Sequence, residues 1–334
     1  MFEATKDFFE NKKYQNPYLM KNKTKSFFFK LFRLLFIIGL SYLFLFPLLY
    51  MIVTAFQDPA TANDPSVIWI PKKLSLAGVV NAWYCLRFSE SATLTAIITL
   101  FGTGASVVSC AMVGYGFARF EFPLKNVIFI LVILTIIVPT QTIIMSQYLN
   151  YWFFDFGGIL KLIPGLKNVN LLNTAWVFVL PAIFATGLRN GLFIFIFRQF
   201  FSGQPKDLEE AARIDGCGPF KTFVRIMVPL AGPAFVTVIL FSVVWHWNDY
   251  YNSAIYFTND IKPVSCMLSN LSDALSMGSA TMDGKVLFSR DTTRYAIRMY
   301  LMAGTMLSVL PPLLLYLFTQ KFFTESIERT GLVG

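Results

Sequence analysis

The 334-residue chain is 55% hydrophobic and 17% aromatic but only 14% charged, whereas a soluble domain of ordinary composition carries about a quarter charged residues. That balance excludes a soluble globular protein of this size, and the 36 phenylalanines are spread over several long uncharged windows, as membrane spans require. The net charge of +9 does not point to nucleic acid, because eight Lys and Arg lie between Lys6 and Arg33, just before the first apolar window, where the positive-inside rule places a cytoplasmic flank.

Residues 1–33 therefore read as a basic cytoplasmic extension. The window 34–56 is uncharged, longer than the apolar region of a signal peptide, and lacks a small-x-small cleavage site. It is expected to stay in the membrane as a first helix, with an outer loop running to residue 90. Five further windows are long enough to cross the hydrocarbon: 93–118, 127–148, 174–197, 226–247 and 299–318. Backbone groups in lipid must bond internally, so the fold class is all-α, a membrane protein of six transmembrane helices. Starting inside puts residues 1–33, 119–126, 198–225 and 319–334 in the cytoplasm, and with Arg189 these hold most of the 28 Lys and Arg. Tyr148, Tyr151 and Trp152, and then Trp245, Trp247, Tyr250 and Tyr251, form two aromatic belts on the same outer side.

Inside the fourth window Arg189 and Asn190 are flanked by Gly187 and Gly191. Either the helix breaks near Gly187, or Arg189 snorkels or faces the bundle. Pro139, Pro181 and the Pro311-Pro312 pair interrupt windows three, four and six, as kinks or as hinges of a rocking bundle. Cys85, Cys110, Cys217 and Cys266 lack metal-ligand spacing. Cys85 and Cys266 both fall outside, where a bridge is allowed, but single scattered cysteines read as small apolar residues.

The segment between windows four and five has its own grammar. Pro205 suits a first helical position, Asp207, Glu209 and Glu210 suit the positive end of a helix, and Glu209 stands four residues before Arg213. Gly216 supplies the left-handed residue that ends the helix, and Gly218-Pro219 restarts a second one leading to Pro229. The spacing predicts a short cytoplasmic helix, a sharp turn, and a helix entering the membrane.

Glu210-Ala211-Ala212, three residues, Gly216, nine residues, Ile226, one residue, and Val228-Pro229 resemble the motif that permeases of ATP-binding-cassette importers carry before their penultimate span; only Val228 replaces the family's Leu. Tyr115-Gly116-Phe117-Ala118-Arg119-Phe120, Arg198-Gln199-Phe200-Phe201, Trp247-Asn248-Asp249 and Gln320-Lys321-Phe322-Phe323 are similar to the carbohydrate branch, the maltose-system subunit with six spans. The resemblance runs from about Ser91 to the C-terminus. It implies a permease core at 91–320 with a coupling loop at 202–225, and a cytoplasmic tail at 321–334. Two departures are the long outer segments 151–172 and 248–297. A third is Met145-Ser146-Gln147-Tyr148, where the family has a proline.

What the resemblance implies is a coupling helix docking into a cytoplasmic ATPase through Glu209, Glu210, Ala211, Ala212, Asp215 and Gly216. The implied partners are two ATPase subunits, a second permease and an extracytoplasmic solute-binding protein, in a prokaryotic plasma membrane with both termini cytoplasmic. The chain itself is expected to be no enzyme and to bind no cofactor. Gly284-Lys285 lacks the upstream glycine and following Ser/Thr of a P-loop, so ATP and Mg are used by the partner ATPase. Gln141, Gln147, Asn150 and Asn248 are candidates for a sugar path. His246, between two tryptophans, reads as interfacial. The segment 248–297 is expected to reach into the binding protein, and the tail from Thr324 to touch the ATPases. Other cargo, a polyol or glycerol-phosphate-like solute, fits the same motif. A secondary transporter fits less well because no carboxylate lies inside a window.

Overall fold

The computed structural model describes residues 17–58, 70–71, 73–155, 157–158, 169–276, 281–282, 285–286 and 294–331. Residues 1–16 of the N-terminal extension, the end of the tail and parts of the segments 151–172 and 248–297, including Gly284, lie outside the described residues.

Among the described residues three helices are each long and apolar enough to cross a membrane: α1 (Pro17–Ala55) through Ser26–Ala55, α3 (Phe88–Arg119), and α13 (Arg294–Gly331) through Ile297–Lys321. They carry the first, second and sixth windows. Neither Pro47 in α1 nor Pro311-Pro312 in α13 ends its helix. Between α1 and α3 lies the short α2 (Ala77–Cys85), whose Gly78 sits so close to α1 that an added Cβ would meet the Ala55 carbonyl oxygen at 2.8 Å.

The third, fourth and fifth windows differ from the expected continuous helices. In the third, α4 (Lys125–Ile137) stops because Pro139 drives Val138 into an extended conformation. A 3₁₀ turn at Thr140–Thr142 then leads into α5 (Ile144–Trp152). In the fourth, Pro181 stays inside α6 (Trp176–Ile183), and the break comes later, where Ala185 and Arg189 both adopt left-handed backbone. The chain resumes as α7 (Asn190–Ser202). Of the alternatives open at this point, the helix does break near Gly187. In the fifth, α9 (Pro219–Leu230), which contains a π-helical stretch at Phe223–Met227, meets α10 (Gly232–Asn248) at 79°. Pro229 and Pro233 each remove an N–H donor around that corner, so the ladder cannot run straight through it.

The remaining elements are α8 (Asp207–Ile214), α11 (Tyr251–Tyr256), α12 (Val264–Ser276) and a small antiparallel ribbon pairing Thr281–Met282 with Lys285–Val286. Besides two isolated antiparallel bridges, Gln57 with Leu74 and Phe154 with Val169, the ribbon is the only strand pairing among the described residues.

Helix α3 is the axis on which the others assemble. One face carries Ser91, Thr95, Thr99, Gly102, Ser106, Cys110 and Gly114, all buried at helical spacing. Such small residues let helices approach closely where no hydrophobic effect separates helix from lipid. A Cβ on Gly114 would stand 2.6 Å from the Phe197 Cβ of α7, and one on Gly102 would stand 2.8 Å from His246 Nε2 of α10. Polar pairs stitch the same face: Ser109 Oγ donates to the Ala182 carbonyl at 2.6 Å, Ser242 Oγ to Thr103 Oγ1 at 3.0 Å, and the Val264 N–H to Thr95 Oγ1 at 2.9 Å.

Two sequence expectations are corrected by this packing. His246 is not interfacial; it is 3% exposed against Gly102, with Nδ1 bonded to Ser242. Trp247 is not part of a belt; it is buried and donates Nε1–H to the Ser308 carbonyl of α13 at 2.9 Å. All four cysteines are free thiols.

Candidate functional site

The motif segment forms the expected short helix, turn and restart, but Pro205 stands outside the helix rather than at its first position. Helix α8 begins at Asp207, two residues after Pro205, with the Glu209 and Glu210 N–H groups bonding back to the Lys206 carbonyl. It ends with Gly216 at φ +76°. The Gly216 N–H bonds to the Arg213 carbonyl at 3.0 Å and the Cys217 N–H to the Ala212 carbonyl at 2.9 Å, the two bonds of a Schellman motif. Pro219 opens α9 after Gly218 in extended conformation.

The helix splits its motif residues between two faces. Glu209 and Ala212 are buried, at 6% and 3% exposure. Glu210, Ala211, Asp215 and Gly216 are exposed, together with Leu208, Ile214 and Phe220. The buried Glu209 does not pair with Arg213 as the helical spacing suggests. Its Oε1 lies 3.0 Å from Nε of Arg119, the last residue of α3, and both side chains are almost fully enclosed. The approach is oblique to the N–H direction, so the contact is chiefly electrostatic. The Arg119 Nη2 group donates separately to the Gln204 carbonyl at 2.8 Å. Arg119 wins over Arg213 because it is held at a helix end inside the fold, where the pair is screened least.

Around this ion pair three stretches that are distant in the chain converge. Tyr115 packs at 4.9 Å on Phe223 and at 5.5 Å on Phe201. Phe201 in turn stacks on Phe197 at 6.1 Å. The Tyr115–Phe120 stretch, the Arg198–Phe201 stretch and the Glu210–Gly216 stretch thus form one joint. Arg198 sits on the flank of it, 4.0 Å above the Phe129 ring.

The broken windows three and four, with Asn252 and Tyr256, line a cavity of about 520 Å³. Of the four path candidates only Gln147 lines it; its Oε1 accepts from the Tyr256 hydroxyl at 3.0 Å. Gln141 and Asn150 are exposed outside it, and Asn248 turns back to donate to the Val244 carbonyl at 2.9 Å. The cavity also takes in Tyr151, Arg189, Asn190, Asn252 and Tyr256. Sequence reasoning missed Asn190 and Asn252 as wall residues, because only the break in the fourth window and the fold-back of α11 bring them to one space. The signal available was the Gly187-to-Gly191 interruption. Asp249, beside the cavity, is turned onto Asn252 Nδ2 at 2.8 Å and the Ser253 N–H at 2.9 Å, where it caps α11.

Among the described residues no group of three or more His, Cys, Asp or Glu is placed to hold a metal ion. A family model described as "binding-protein-dependent transport system inner membrane component" matches residues 110–324. The chain is 28% identical over 303 residues to the arabinooligosaccharides transport system permease protein AraQ of Halalkalibacterium halodurans, covering 88% of this chain and 93% of that protein. It is 25% identical over 280 residues to the polygalacturonan/rhamnogalacturonan transport system permease protein YtcP of Bacillus subtilis, covering 84% and 89%. In structure it resembles a chain of a bacterial ABC transporter involved in import of the acidic polysaccharide alginate, with TM-score 0.69 and 18% identity over 89% of this chain and 96% of that one.

Proposed function

Because the chain belongs to the family of binding-protein-dependent transport system inner membrane components, we propose that it forms half of the translocation pathway of an ATP-driven importer for an oligosaccharide. It is a transport subunit, not a catalyst. The printed cargoes of the relatives, arabinooligosaccharides and polygalacturonan or rhamnogalacturonan, support sugar as the solute class.

In this reading six spans cross a prokaryotic plasma membrane, the broken third, fourth and fifth windows included, and both termini are cytoplasmic. Two ATPase subunits that consume MgATP sit beneath, a second permease completes the pore, and an external binding protein delivers the sugar. The single observation that carries the reading is the two-faced α8. Its buried face is locked to α3 through Glu209 and Arg119, while Glu210, Ala211 and Ile214 stand exposed beside the Gly216 turn. A helix so held transmits a push on its outer face to the span behind it. Asp215 and Gly216 set the angle of exit. At the opposite end, Gln147 lies on the sugar path, and the segment 248–297 reaches towards the binding protein.

The test is purification of the C-terminally tagged chain from its native membrane, with co-purifying proteins identified by mass spectrometry. Wild type is expected to bring down an ATPase and a second permease, and Glu210→Arg combined with Gly216→Pro to lose the ATPase. Recovery of the chain alone from membranes active in uptake, with the variant behaving identically, overturns the reading.

A further inference from the structure

We infer that the cavity between the broken third and fourth windows takes an acidic sugar, one bearing a carboxylate, and that Arg189 and the N-terminus of α7 receive its charge. The inference rests on the permease reading and deepens it by naming the charge class of the cargo.

Four observations converge on one spot. Arg189 is the residue before α7, in left-handed backbone at φ +60°, and it lines the cavity. Among the described residues no carboxylate pairs with it; its guanidinium rests 5.7 Å from the centroid of the Trp245 ring. A cation held on an aromatic face keeps its charge available for a further ligand.

Asn190, the first residue of α7, is 1% exposed and lines the same cavity, yet neither its Oδ1 nor its Nδ2 has a hydrogen-bond partner. Buried amides are normally paired, and an orphaned one calls for an explanation. A ligand oxygen accepting from Nδ2 supplies it.

Helix α7 is 13 residues long and opens at this wall; the Asn190, Leu192 and Phe193 N–H groups are bonded to the Gly187 and Arg189 carbonyls, so what the helix start offers is its positive end. Discontinuous membrane helices use such ends to hold anionic groups of their substrates.

Lastly, no Asp or Glu is among the described residues lining the space. Nearby Asp249 is engaged with Asn252 and Ser253. The volume of about 520 Å³ suits a short oligosaccharide, and Tyr151 and Tyr256, which meet edge-to-face at 5.2 Å, offer ring surface to it.

The experiment uses the whole transporter purified in detergent, with permease pair and ATPases present, titrated calorimetrically with trigalacturonate and with its fully methyl-esterified form, the same skeleton without charge. Wild type is expected to bind the acid at least about tenfold more tightly than the ester, as a charge-assisted contact implies. Arg189→Gln should erase that preference, and Arg189→Lys should keep part of it. Equal binding of acid and ester by wild type, no binding of either, or an intact preference in Arg189→Gln overturns the inference. So does dissociation of the permease pair in Arg189→Gln, which assigns the arginine to an acid of the second permease. An assembly that contains the ATPase but shows no acid preference leaves the permease reading standing. An assembly without any ATPase removes both.

Discussion

Arg119 and Glu209 sit on different helices and meet at 3.0 Å with their side chains only 4% and 8% exposed. The pair joins the end of the longest uninterrupted span of the bundle core to the buried side of the short helix that carries the family motif. It is a fixed joint rather than a surface ion pair, and its neighbours Tyr115, Phe201 and Phe223 exclude water from it.

Breaking one half of such a pair leaves an uncompensated buried charge. Arg119→Met or Glu209→Leu is expected to destabilise the chain by about 3–5 kcal/mol, whereas replacing both together should be close to neutral. Thermal unfolding of the detergent-solubilised transporter checks the stability. Sugar-stimulated ATPase activity checks the coupling, which the double variant should recover only in part. Equal destabilisation by the single and double variants would show that packing, not charge, holds the joint.

Gly216 adopts φ +76° with open space around it. The penalty for a side chain there is therefore confined to the backbone, and Gly216→Ala should cost about 1 kcal/mol. Gly218→Ala, also in open space but at φ −70°, should be silent. Comparing sugar-stimulated ATPase rates of the two variants at equal expression tests whether the turn angle matters to coupling.

Close approach decides Gly114. An added methyl group would stand 2.6 Å from the Phe197 Cβ and 3.0 Å from the Arg198 nitrogen, so α3 and α7 must separate. Gly114→Ala is expected to lower stability by about 1–3 kcal/mol. Gly104→Ala on the same helix meets nothing within 4 Å and serves as the control. A thermal-shift comparison that finds both variants alike would contradict the packing described.

Burial pushes the Cys85 and Cys266 thiols, both on the short helices outside the spans, up to about 11 from an ordinary value near 9. The folded state thus holds its thiol protons more tightly than the unfolded chain. That contribution to stability is complete below about pH 9 and is lost as pH rises through about 11. Maleimide labelling of the native protein at pH 8 should be slow at both positions and fast after denaturation. Electrophoretic mobility should not change on reduction, because both are free. Rapid native labelling at pH 8 would count against their burial.

Much of the local architecture was written in the residues. The α8 helix, its Schellman end at Gly216 and the restart at Gly218-Pro219 follow from short-range backbone chemistry, in which each bond joins residues only a few positions apart. The uncharged windows likewise located α1, α3 and α13, because the solvent selects for apolar length alone. Windows three and five were legible as apolar but not as broken, and in window four the break near Gly187 was only one of the alternatives. Apolar length carries no record of where left-handed Ala185 and Arg189, or the 79° corner at Ala231, interrupt the hydrogen-bond ladder. Long-range pairing was beyond the sequence as well. Spacing alone favoured Arg213 as the partner of Glu209, and a position between tryptophans favoured an interfacial His246. Packing instead gave Glu209 to Arg119, and buried His246 against Gly102. The sequence by itself determined which segments are helical, which are apolar and which carry the family motif. Only the tertiary structure decided which charges face one another and which amides line a common cavity, since those depend on how separate helices pack about α3.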